Sequence, residues 1–275
     1  MPRLDRRGKT TANYGEDVLI ATWNVNSLKA RLPRVQAWVE EVQPDVLCMQ
    51  ETKLAQEKFP HDAFTEMGYE SAHFGQGQWN GVAIISKVGL QNVMPNFAAG
   101  IEPDHEARIL TATCGGIQIS SCYVPNGREV NHDHYKYKLS WLGRLRATLD
   151  AINEPTDNVV VCGDFNIAPD DRDVWDVKQF ENATHVSVPE REALAHVCEF
   201  GMEDTFRHFH QEGGIFSWWD YRGGSFYKGH GMRIDYLLAT KPVVDRATWV
   251  GIDRNARKGE GPSDHVPVML KLKDA

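Results

Sequence analysis

NVVVCGDFN, residues 158–166, is the stretch whose reading decides the fold. Three valines in a row make 158–165 a strand, because β-branched apolar residues fit a pleated, packed surface. The strand stops on a carboxylate, Asp164, and an amide, Asn166. Upstream, ILTATC and IQISSCYV flank Gly115-Gly116, a turn able to supply positive φ, so 108–124 reads as a hairpin. Between hairpin and strand, Leu142, Leu145, Leu149 and Ile152 recur at helical spacing and predict a long helix. Toward the N-terminus, 18–25 (VLIATWNV), 45–51 (DVLCMQE) and 81–86 (GVAIIS) read as strands. Val35, Trp38, Val39 and Val42 form the apolar stripe of a helix that Pro33 would open and Pro44 would stop. Downstream, 189–200 is helical and meets Gly201 as its C′ glycine, and strands are expected over 216–221, 233–239 and 266–272. Strands and helices interleave, yet the hairpin argues against a purely parallel sheet. The expected fold is α/β: a four-layered sandwich of two packed mixed sheets with helices outside.

The 275 residues, 41% of them apolar and 25% charged, have ordinary globular usage, which excludes collagen, low-complexity disorder and disulfide scaffolds. No linker or repeat interrupts 17–275, so one domain is expected, preceded by a polar arm over 1–16 without the apolar core of a secretory signal. No apolar run approaches the roughly 20 residues of a membrane span. A net charge of −8 means that any polyanion must be met by a local basic strip, for which 128–138 and 254–258 (RNARK) are the candidates. Cys48, Cys114, Cys122, Cys162 and Cys198 form no CxxC pair and read as reduced thiols, which places the chain in the cytoplasm, or at the nucleoid in a bacterium. A monomer is the default.

The informative polar residues gather at strand ends: Asn24 and Asn26, Glu51, Tyr123, Asp164 and Asn166, Asp235, then Asp264 and His265. One such residue means little, since turns use Asp and Asn routinely. On several strands they can converge on one rim. Glu51, Asp164 and Asp264 offer hard oxygen ligands of the kind Mg²⁺ takes, and the scarcity of histidine disfavours zinc. Cys162, two residues before Asp164, is expected to point away from them. Asp235 can hold the His265 imidazole in one tautomer and favour its charged form. Asn24 and Asn166 add amides, and Tyr123 a hydroxyl. Such a set describes metal-assisted phosphodiester hydrolysis.

These motifs carry a resemblance. WNVNSLKAR, QPDVLCMQETK, NGVAIIS, YVPNG, GDFNIAP, FSWWDYR, RIDYLL and SDHVPV resemble exonuclease III-type abasic-site endonucleases of the endonuclease/exonuclease/phosphatase (DNase I-like) superfamily. GDFN and SDH occur across that superfamily; QETK, RIDYLL and FSWWDYR point to its DNA repair branch. The resemblance implies a nuclease that cuts 5′ to abasic sites in double-stranded DNA and acts as a 3′→5′ exonuclease or 3′-end-cleaning phosphodiesterase, with Mg²⁺ as cofactor and Mn²⁺ as substitute. It implies Glu51 as principal metal ligand, with Asn24, Asp164, Asn166 and Asp264 around the ion. It gives Asp164 the attacking water, Asn166 and Tyr123 the reacting phosphate, and His265, oriented by Asp235, a phosphate oxygen. Trp218 would line the pocket for the base-less sugar, and Asn26, Lys53, Asn126, Arg128 and Arg233 would contact DNA. A phosphatase of small or lipid substrates and a non-catalytic lesion-binding protein are the competing readings.

Overall fold

A computed structural model describes residues 17–273; the expected arm over 1–16 lies outside the described residues. The strands of one six-stranded sheet are β1 (Val18–Asn24), β2 (Val46–Gln50), β3 (Glu70–Phe74), β4 (Val82–Ser86), β13 (Ala247–Ile252) and β14 (Val268–Leu272), in the order β13-β14-β1-β2-β4-β3. Those of the other are β5 (Gln91–Pro95), β6 (Ile109–Cys114), β7 (Ile117–Tyr123), β8 (Val159–Asp164), β9 (Met202–Asp204) and β12 (Asp235–Thr240), in the order β5-β6-β7-β8-β12-β9. Each sheet is mixed and holds one parallel pair, β1–β2 and β7–β8, joined by a crossover helix. These helices are α1 (Leu28–Val42) and α3 (Asp133–Ile152). The short α2 (His61–Thr65) and then α4 (Val188–Cys198), α5 (Thr205–Phe209), α6 (Ser225–Lys228) and α7 (Lys241–Val244) complete the set, with a two-stranded ribbon of β10 (Trp218–Trp219) and β11 (Gly231–Met232).

Both faces of the central strands are buried, and successive side chains alternate between them. On β1, Ile20 enters the core between the sheets, while Ala21 and Trp23 pack outward against Val35 and Trp38 of α1. On β8, Val160 and Cys162 face the other sheet, while Val159 and Val161 meet Leu142 and Leu145 of α3. Helix, sheet, sheet and helix form the four layers expected. Two-sided burial also explains why these strands read as unbroken apolar runs. Among the described residues no helix is long and apolar enough to cross a membrane.

Several local expectations need correction. Pro33 lies inside α1, because Ser27 caps the helix earlier by accepting from the Ala30 N–H. The last strand begins at Val268, after Pro267, which has no N–H to give a ladder. Of 216–221 only Trp218 and Trp219 pair, and 233–239 becomes a strand only from Asp235. The helix expected to run to Phe200 ends at Cys198. The strands β3, β5, β9 and β13 were not foreseen; they lie at or next to sheet edges, where one neighbour suffices and the apolar pattern is weak.

The inward face of the sandwich changes character along the strands. Ile20, Cys48, Ile119, Cys162 and Leu237 form an apolar layer. Next comes a buried neutral polar layer, in which the Gln50 side-chain amide donates to the hydroxyls of Thr22 and Ser121, 3.0 Å each. Beyond it lie Asn24, Tyr123, Asp164 and Asp235, at the ends of four of these five strands. Cys162 therefore does not turn away from Asp164; it belongs to the inter-sheet core, deeper than the acid.

Gly163 is what lets β8 deliver Asp164. Its φ is +135°, and a Cβ there would stand 1.9 Å from the Cys122 carbonyl oxygen on the paired strand β7. Neither backbone can yield, so Gly163→Ala should cost more than about 3 kcal/mol in urea-unfolding stability. An unchanged unfolding midpoint in that variant would contradict the reading.

Candidate active site

The ends of the strands are bent into the site by residues in the left-handed region. Asn26, Ser27, Glu51, Lys53, Arg128 and Asn166 all have positive φ, although none is glycine. Such strain persists only where surroundings enforce it, and it gathers at functional sites.

Asn24 stands between two acids. Its Nδ2 donates to Glu51 Oε1 and to Asp164 Oδ2, 2.8 Å each, and its Oδ1 accepts from the Asn26 N–H at 2.9 Å. That last bond fixes which end of the amide faces the carboxylates. Asn24 thus bridges the two acids through its amide nitrogen. The second Glu51 oxygen pairs with Lys53 Nζ at 2.9 Å, and the Asn166 N–H donates to Asp164 Oδ1 at 2.9 Å.

His265 is 3% exposed. Its Nδ1 lies 2.9 Å from Asp235 Oδ2, and its Nε2 3.5 Å from Asp164 Oδ2. The Ser217 hydroxyl donates to Asp235 at 2.6 Å and fixes that carboxylate in turn. Burial works against the charged ring, but Asp235 and then Asp164 prevail and raise His265 to about 10. Burial likewise raises Asp164 to about 7, with Asp235 and Glu51 adding to it and His265 opposing. Burial and the Glu51 charge push the Tyr123 phenol well above its ordinary value, while Arg108, whose guanidinium lies 4.7 Å from the ring, pulls it back.

Glu51, Asp164 and His265 bring ligand-type atoms within 4.8 Å of one another. A protonated imidazole has two N–H donors and no lone pair, so His265 is not a ligand in that state. What is left is two carboxylates in a buried setting crowded with negative charge. A divalent cation that prefers oxygen fits this donor set.

Asp264 joins from the neighbouring rim, accepting from Asn26 Nδ2 at 2.9 Å and from Trp218 Nε1 at 3.1 Å. Asn166 donates from Nδ2 to the Val124 carbonyl, and its Oδ1 accepts from Asn126 Nδ2 at 3.1 Å. These groups line one cavity of about 300 Å³, which also holds Glu51, Tyr123, Asp164 and His265. Its apolar wall is Phe180, Trp218, Met232 and Ile234. His185 completes the lining, with Nε2 3.2 Å from both Asn126 Nδ2 and Asn166 Oδ1. Burial and then the Lys138 charge lower His185 to about 3, so its ring is neutral. Sequence reasoning missed His185, because it sits in a polar run, ENATHVS, with neither periodicity nor a paired acid to mark it.

Among the expected DNA contacts, Asn126 and Trp218 line the cavity, Asn26 and Lys53 form its rim, and Arg128 is exposed. Arg233 is not at the surface. It is wholly buried, with Nε 2.6 Å from Asp173 and Nη2 2.7 Å from Asp204, so its guanidinium is spent on internal acids. Lys138 likewise drops out of the basic strip, being buried against Glu190. Arg254 and Arg257 lay their guanidinium groups over Phe226 and Tyr221, at 4.3 and 5.0 Å.

The sequence model of the Endonuclease/Exonuclease/phosphatase family matches residues 21–265. The exodeoxyribonuclease III of Haemophilus influenzae is 31% identical over 264 residues, covering 92% of this chain and 98% of that one. An AP endonuclease structure from Archaeoglobus fulgidus superposes with a TM-score of 0.90 at 37% identity, over 94% of this chain and all of the other. A 3′ phosphatase from Neisseria, solved with a product DNA hairpin, gives 0.89 at 36% identity, over 93% and 99%.

If the two carboxylates hold a cation, a divalent salt at about 100 times its Kd should raise the melting temperature by a few degrees, since an ion that binds only the folded state stabilises it by about 2.7 kcal/mol. Glu51→Gln should lose most of that rise in a scanning-fluorimetry titration. Equal shifts in wild type and variant would place the ion elsewhere.

Proposed function

We propose, from the premise that the chain belongs to the endonuclease/exonuclease/phosphatase family, that it is a Mg²⁺-dependent DNA repair nuclease. It hydrolyses the phosphodiester on the 5′ side of abasic sites in duplex DNA and removes blocking groups from 3′ ends. The observation that carries this reading is one cavity in which Glu51 and Asp164 face a Trp218–Met232 wall. That places hard ligands for a cation beside an apolar surface suited to a sugar without its base. Mn²⁺ can take the place of Mg²⁺, because both accept an oxygen donor set.

Glu51 and Asp164 would hold the ion, with Asp264 across the rim. When bound, it neutralises phosphate charge and stabilises the leaving oxygen. The chain's own groups do the rest. His265, charged and fixed by Asp235, presents Nε2–H toward the centre of the site and can donate to a phosphoryl oxygen. Tyr123 keeps its proton and offers a second donor, its O–H. Asp164, whose carboxyl burial pushes toward holding a proton, can accept the proton of an attacking water. Asn126 and Asn166 hold amides at the opposite wall. Cleavage on the 5′ side of the lesion leaves a 3′-hydroxyl. The same reading takes the chain as one catalytic domain, acting as a monomer on one face of a duplex in the cytoplasm.

An end-labelled duplex with one abasic analogue and a nicked duplex with a 3′-phosphate, each assayed with and without chelator, test the proposal. Wild type should process both, chelator should stop it, and folded Asp164→Asn should lose at least about 100-fold in rate. Near-normal incision by folded Asp164→Asn removes the role given to that carboxylate. Cleavage of inositol phosphates in preference to DNA favours the small-substrate phosphatase, and duplex binding without cleavage favours the lesion-binding protein.

A further inference from the structure

One buried ion pair takes no part in the chemistry above, yet it touches every loop on one side of the cavity. Lys138, on α3, has no exposed side-chain surface. Its Nζ lies 2.5 Å from Glu190 Oε1 on α4, 2.7 Å from the Asn166 carbonyl oxygen and 3.2 Å from the Asn126 carbonyl oxygen. Glu190 is saturated in turn. Its Oε1 also accepts from the His185 N–H at 3.0 Å and lies 2.6 Å from the Thr184 hydroxyl, and its Oε2 accepts from Ser187. A buried charge pair is weak evidence for stability, since apolar residues of similar volume often do as well. What distinguishes this pair is where its remaining hydrogen bonds go.

We infer that Lys138 and Glu190 are a positioning pair that fixes Asn126, Asn166 and His185 as one rigid wall of the active site. Neither residue lines the cavity. The ammonium gathers the carbonyls of two loops, and the carboxylate gathers the backbone of a third. Asn166 sits at φ +53°, a conformation asparagine adopts more readily than other side-chain-bearing residues but one its neighbours must still fix. Releasing its carbonyl removes one of the contacts that hold it there. The Asn166 N–H would then leave Asp164 Oδ1, and its side-chain oxygen would leave Asn126 and His185. The pair thus acts on substrate only through the residues it holds, and it deepens the proposed nuclease reading of this site.

The double variant Lys138→Met/Glu190→Leu separates positioning from simple support, because it removes both charges together and leaves none buried alone. It should stay folded at assay temperature, with a lower urea-unfolding midpoint because the His185 and Ser187 N–H groups and the Asn126 and Asn166 carbonyls lose partners. On the nicked 3′-phosphate duplex its kcat should fall about 10- to 100-fold, the usual loss when groups behind an active site are removed, while KM moves less than about threefold. Without DNA or metal, amide hydrogen exchange at Asn166 and His185 should speed up while exchange in β1 and β8 stays as in wild type. Wild-type kcat together with wild-type exchange in the double variant overturns the inference. The exchange measurement needs no activity, so an inactive wild type would sink the proposed function and still leave the clamp to be judged. If the double variant does not fold, Thr184→Val carries the test: it removes a hydroxyl shared by Glu190 and Asn126 without uncovering a charge. It should lower kcat about 2- to 10-fold at an unchanged melting temperature. No change in kcat there counts against the clamp.

Discussion

One side-chain amide joins the two halves of the active site. Asn24, at the end of β1, donates to Glu51 from its own sheet and to Asp164 from the other. Two carboxylates so close repel each other, and burial strengthens the repulsion because little water is present to screen it. A neutral donor shared between them allows both to stay. The spacing of the sheets, set by the apolar core from Ile20 to Leu237, is what brings the three side chains within hydrogen-bond reach. His265 stands beside Asp164 and Lys53 beside Glu51, and Glu51, at a left-handed kink just past β2, reaches Asn24 at the end of β1.

The fold was legible wherever burial is two-sided. VLIATWN, VVVCGD and the hairpin strands read as strands because every position packs against something. Residues of the sheet margins did not read so clearly, since Glu70–Phe74 and Gln91–Pro95 carry polar side chains on exposed faces. Pro33 misled because proline usually opens a helix, while the hydroxyl that opens this one belongs to Ser27, six residues earlier. In the site, the acids and amides of strand ends were legible from their types and places. The pairing of Asp235 with His265 was legible too, and the distance between them is that of a hydrogen bond.

What stayed hidden depended on the third dimension. A buried arginine and a buried lysine look, in sequence, like any surface cation. Only packing reveals that Arg233 answers Asp173 and Asp204, and that Lys138 answers Glu190. The arginines of RNARK, expected as a free basic strip, lie on the rings of Phe226 and Tyr221, so they brace the aromatic loop. Among the described residues, two cations do stand near the cavity: Lys53, paired with Glu51 at its rim, and exposed Arg128 beyond Asn126.

The pairing of β14 with β1 sets an order of events during synthesis. β1 begins the described chain, but its partner on one side is the last of the described strands, and Asp264 and His265 come just before it. A growing polypeptide therefore has its first sheet open along β1, and lacks the imidazole, until residues 264–272 have been made. A chain that stops short of them has neither the β1–β14 ladder nor the His265–Asp235 pair of the site.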